Sequence, residues 1–103
     1  MKQSFRFTRA ALNDLRDIAK YTCKTWGQEQ EASYIKGLFA FFESIARNET
    51  LNRDMSVLVP GCFSCKISHH LIVFHWLDDG RPEIIRILHE KMDIPQRLLD
   101  VMR

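Results

Sequence analysis

A single glycine, Gly27, separates two long stretches of helical periodicity, and this arrangement narrows the choice of folds more than any other feature of the chain. Thr8 is placed to cap a helix running to about Trp26, because Ala11, Leu12, Leu15, Ile18, Ala19 and Thr22 recur at spacings of three and four. A second helix is predicted from about Gln28 to Arg47, with Tyr34, Leu38, Phe41, Phe42 and Ile45 along one stripe. So short a joint makes the two helices an antiparallel hairpin. Each helix has an apolar face that needs a partner surface.

The rest of the chain supplies that surface. Ser4 to Phe7 reads as a first strand, and after Asn48 the texture becomes strand-like: Val57 to Val59, Phe63 to Ser68, His70 to Leu77 and Glu83 to His89. Pro60-Gly61 and Asp78-Asp79-Gly80-Arg81-Pro82 mark turns. The runs Leu71 to Phe74 and Ile84 to Leu88 are apolar on both faces, so these strands are expected at the centre of the sheet, covered by the helix pair. Pro95 can open a short last helix containing Leu98, Leu99 and Val101. The order of elements predicts an α+β fold: an N-terminal strand and an antiparallel helical hairpin packed on a small antiparallel sheet, with a short C-terminal helix.

With 103 residues, 46% of them hydrophobic, the chain has the length and core of one small domain over 1–103. Its longest apolar runs fall far short of the roughly 18 to 20 residues that cross a bilayer. The amino terminus lacks the apolar region of a secretory signal, and three cysteines are an odd number for a disulfide framework, so a reducing, cytoplasmic location is expected. The formal charge is only +2, but Lys2, Arg6, Arg9, Arg16, Lys20 and Lys24 face only Asp14 and Asp17 in the first quarter. That imbalance favours an acidic partner.

Several segments match a known pattern: Thr8-x-x-Ala11-x-x-Asp14-Leu15-x-x-Ile18-x-x-Tyr21, Trp26-Gly27-x-x-Gln30, Pro60-Gly61, His70 before an apolar strand, and Ile85-Arg86-Ile87-Leu88-His89-x-x-Met92-Asp93. In this order they resemble ParE-type toxins of the ParE/RelE superfamily, and the resemblance covers almost the whole chain. It implies the toxin half of a bacterial type II toxin–antitoxin pair. ParE-type members poison DNA gyrase, whereas RelE-type members cut messenger RNA on the ribosome. It also implies a ParD-like antitoxin whose dimeric end binds the promoter, so that the toxin forms a hetero-oligomer without itself reading DNA sequence.

Site chemistry separates the two activities. Attack of a 2'-hydroxyl on an RNA phosphate needs a proton acceptor, a proton donor and cations. Many relatives read Pro-Gly-Tyr-Arg, but here Pro60-Gly61 is followed by Cys62-Phe63, and no tyrosine occurs after Tyr34. Arg86 and His89 remain, yet a spacing of three places them on opposite sides of a regular strand. ParE-type members commonly carry this segment without hydrolytic function, which makes Arg86 and His89 structural or partner-binding. No catalytic residue, cofactor or metal is assigned. The expected mode is protein–protein binding to gyrase, with Arg9, Arg16 and Lys20 on the first helix and Lys91, Met92 and Arg97 near the carboxyl end as candidate contacts. The alternatives are a RelE-type ribonuclease and an inactive antitoxin-binding remnant.

Three further features have simpler readings. Cys62-x-x-Cys65 with His69 and His75 imitates a zinc spacing, but cysteines three apart on a strand face opposite ways and suit core positions better. His70 is expected as a hydrogen-bonded sheet residue. Trp76, in register with Phe74, is a candidate partner contact that aromatic stripes on strands more often turn into core.

Overall fold

The computed structural model describes residues 4–90. Strand β1 (Arg6–Phe7) leads into helix α1 (Arg9–Trp26) and helix α2 (Gln28–Ala46), followed by β2 (Arg53–Asp54), β3 (Phe63–Ile67), β4 (His70–Trp76) and β5 (Pro82–His89). Two helices pack on one five-stranded sheet of order β1-β5-β4-β3-β2. The predicted C-terminal helix from Pro95, with Lys91, Met92 and Arg97, lies outside the described residues.

Gly27 alone joins the helices. Its φ of +95° is accessible to glycine and strained for other residues, while its N–H donates to the Cys23 carbonyl and its own carbonyl accepts from Glu31. Thr8 starts α1 as expected, its hydroxyl accepting from the Ala11 N–H. It also ties the helix to the sheet, since the Thr8 N–H donates to the Ile84 carbonyl and the hydroxyl to that of Ile85.

The sheet departs from the expected antiparallel order at one place. β1 pairs parallel with β5, Phe7 opposite Ile84: the helical hairpin carries the chain from β1 across to β2 at the far edge, and the antiparallel run from β2 to β5 then ends alongside β1. The β4–β5 ladder shifts register between Val73 and Phe74, leaving Ile85 as an extra residue in β5. This bulge explains how residues three apart reach the same core: Ile84 and Ile87 both pack under the helices, while Ile85 and Leu88 pack on the other face.

The larger core lies between the helices and the sheet, with Leu38, Phe42 and Ile45 of α2 meeting Ile72, Phe74, Ile84 and Ile87. The smaller one joins Val59, Cys62, Val73, Ile85 and Leu88. Val57 to Val59 is not a strand. The N–H groups of Leu58 and Val59 both donate to the Met55 carbonyl, and Cys62 N–H donates to Val59, so Pro60 and Gly61 wind this segment into consecutive turns that drop Val59 onto the sheet. The edge strand is instead the polar pair Arg53–Asp54, which carries no apolar alternation to announce it.

Candidate partner-binding groove

β1 covers β5 only as far as Ile84, and α1 seals the edge beyond it. Asp14 performs the seal: its carboxylate accepts from the Ile87 N–H at 2.9 Å and from Arg86 Nε and Nη2 at 2.7 and 2.9 Å. Both side chains are largely buried, 13% exposed for Asp14 and 16% for Arg86. Two charge-assisted bonds in a fork geometry lock α1 onto the strand.

Beyond this clasp, α1, the start of α2 and the ends of β4 and β5 enclose an open groove of about 720 Å³. Ile18, Thr22 and Ile87 line it on the inside, with Tyr21, Trp26 and Gln30 along the helical wall and Tyr34, Ser68, His69, His70 and His89 at the sheet end. Tyr21 and Trp26 are 68% and 71% exposed, an unusual state for side chains that gain so much from burial.

The imidazoles are brought together by the tight β3–β4 turn. Ser68 adopts a left-handed φ of +53°, which allows Ile67 and His70 to pair across two residues. His70 stands opposite His89, with ring centroids 5.3 Å apart, and His69 stacks 6.4 Å from His89. The Tyr34 hydroxyl lies 2.6 Å from His70 Nδ1. Burial, then the neighbouring His89 and His69, hold the His70 pKa below its usual value, which favours the neutral ring beside the Tyr34 hydroxyl. Burial likewise pushes the Tyr34 hydroxyl up. At the rim, Glu90 bonds His69 and pairs with Lys66, His69 first, and both hold its carboxyl below the ordinary range.

The sign of the His70 shift gives a testable pH dependence. A histidine whose folded pKa is depressed takes up fewer protons folded than unfolded, so stability holds above about pH 6.5 and falls as the pH drops below it. Urea midpoints at about pH 7.5 and 5.5 should therefore separate more for the native chain than for His70→Gln, which keeps an acceptor for Tyr34 but does not titrate. Equal separation in the two proteins would contradict this assignment.

The sequence-predicted site residues divide into groups. Arg9, Arg16 and Lys20 are exposed on α1 and do not line the groove. Pairing is regular from Arg86 to His89, so the two leave β5 on opposite sides; Arg86 is engaged internally by Asp14, and His89 joins the imidazole cluster. Trp76 is half-buried against the main core, its ring 5.6 Å from Phe74. Cys62 and Cys65 are buried in different cores, the Cys65 thiol raised to about 11 by burial. Among the described residues no group of three or more His, Cys, Asp or Glu is arranged to hold a metal, and no helix is long and apolar enough to cross a membrane. The sequence placed Tyr34 only on the apolar stripe of α2, whereas Asp14, Ile18, Tyr21, Trp26, Gln30, His70, Ile87 and His89 of the groove all belong to the quoted pattern.

Residues 5–94 match the family model described as the ParE toxin of the type II toxin–antitoxin system parDE. The chain belongs to the ParE toxin family. It is 36% identical over 101 residues to a Toxin ParE of Escherichia coli, covering 97% of each chain. A Toxin ParE1 of Caulobacter vibrioides is 35% identical over 89 residues, 86% of this chain and 91% of that one. Among solved structures, the chromosomal ParDE TA system from P. aeruginosa superposes with a TM-score of 0.69 at 20% identity, covering 84% of this chain and 95% of that one, which establishes the ParE fold. In this ParE chain, the family's motif residues close the hairpin, clasp it to β5 and line the groove.

Proposed function

We propose that this chain is the toxin of a type II pair that inhibits DNA gyrase by binding it, and that a cognate ParD-like antitoxin neutralises it by docking in the groove. Gyrase would be held with its DNA cut, so that replication fails. Exposed Arg9, Arg16 and Lys20 on α1 offer a basic surface for the target complex. The observation that carries a binding mode over turnover is the engagement of Arg86 by Asp14. The cation best placed by sequence to neutralise a phosphate is already neutralised within the fold. Among the described residues, the groove is lined by no lysine or arginine, and Asp17, which has no ion-pair partner there, repels a nucleic-acid backbone.

One feature favours a ribonuclease instead: Tyr34 and His70, hydrogen-bonded beside His69 and His89, could exchange protons with a substrate. Proton transfer without a cation for the crowded phosphate is an incomplete set for that reaction. Induction of the chain in cells without its partner tests the proposal. Growth arrest with a DNA-damage response, relieved by co-expressed antitoxin, is expected. Rapid message cleavage without DNA damage would support the ribonuclease, and absence of any phenotype would point to a remnant.

A further inference from the structure

The charges of the groove run opposite to those of the helix that forms its wall. α1 is basic on its exposed surface, through Arg9, Arg16, Lys20 and Lys24, yet the groove receives only its carboxylates. Asp14 is saturated by Arg86 and the Ile87 N–H. Asp17, one turn further, is exposed, lines the groove and makes no ion pair among the described residues. It precedes Tyr21 by four residues, so the two stand on the same helix face, and Trp26 extends the same wall. A carboxylate beside two exposed aromatic rings, above an apolar floor of Ile18 and Ile87, matches a side chain that is cationic at its tip and aliphatic along its stem.

Resting on the reading that the groove is the antitoxin's seat, we infer that the docking segment is an apolar stretch anchored by one arginine or lysine, seated against Asp17 and covered by Tyr21 and Trp26. The net basic charge of the toxin's first quarter favours an acidic antitoxin overall. The inference is that this acidic partner nevertheless carries a cation at this contact. In the free protein Asp17 is exposed to water. Docking removes that water and strengthens both the carboxylate and the ring contacts. A single cationic anchor would also set the register of the segment along the groove, since any one-turn slip leaves a buried charge without its partner.

The test uses the full chain and its purified cognate antitoxin, in a Trp76→Phe background so that emission reports Trp26. On antitoxin addition, Trp26 emission should shift to the blue, and the titration gives the affinity. Asp17→Asn should weaken binding about tenfold, and Asp17→Lys at least about a hundredfold. An antitoxin in which the facing arginine or lysine is changed to glutamate should recover affinity for Asp17→Lys while losing it for the native toxin. A blue shift with native affinity in both Asp17 variants would overturn the cationic anchor and leave the groove as the docking site. No shift, together with native affinity in Tyr21→Ala and Trp26→Ala measured by titration calorimetry, would overturn the groove itself. Circular dichroism of each variant separates lost binding from lost folding, and exposed Asp17 can be replaced without opening the core.

Discussion

Replacing Asp14 with alanine is expected to lower stability by about 3 kcal/mol, at the lower end of what removal of one partner from a buried ion pair costs. The change leaves the guanidinium of Arg86 without its carboxylate and the Ile87 N–H without an acceptor, both where α1 restricts access to water. In a chain of this size such a loss moves the thermal midpoint down by roughly 12 to 20 °C. Arg86→Ala should cost less, about 2 kcal/mol, because Asp14 keeps its bond to Ile87 and can be hydrated from the groove. The double variant should be much less destabilised than the sum, a coupling of about 1 to 2 kcal/mol in a thermal or urea double-mutant cycle. Additive losses would mean that the two side chains act independently and that the clasp described between α1 and β5 does not hold the hairpin in place.

The second large effect lies in the main core. Phe42 is fully buried, with the rings of Phe5, Phe7 and Phe39 at 5.5, 5.3 and 5.7 Å around it. These edge-to-face contacts join the N-terminal segment and β1 to α2, so Phe42→Ala removes both burial and the ring contacts of three neighbours. We expect a loss of about 4 kcal/mol, read as a lower urea midpoint with an unchanged slope. Half-buried Phe39→Ala should cost about half as much. A Phe42→Ala loss below about 1 kcal/mol would mean that the cluster collapses around the gap or contributes little.

How much of this was legible in the sequence follows the range of each interaction. Thr8, Gly27 and the helical stripes act within a few residues, and the helices appear within a residue of the expected bounds at their ends. The strands from Phe63 onward were equally plain. A triplet such as Val57 to Val59 is too short for periodicity to separate a strand from a turn, and the pairing of Arg53–Asp54 with β3 leaves no local mark. Within the ParE pattern the local roles of Thr8 and Gly27 and the hydrogen-bonded place of His70 were readable, but the long-range partners were not. Asp14 meets Arg86 across 72 positions and Tyr34 meets His70 across 36, and neither pairing is encoded in spacing along the chain. The spacing of Arg86 and His89 already set them on opposite sides of a regular strand, but it did not say what either would meet. The fold gives each a different partner.

Inhibition of purified gyrase is the most direct test of action by occupancy. The isolated toxin is expected to stop supercoiling of relaxed plasmid, with cleaved DNA accumulating in proportion to toxin bound and the antitoxin reversing both. Unaffected supercoiling, with ribosome-bound message cut at a rate abolished by His70→Gln or Tyr34→Phe, would contradict action by occupancy.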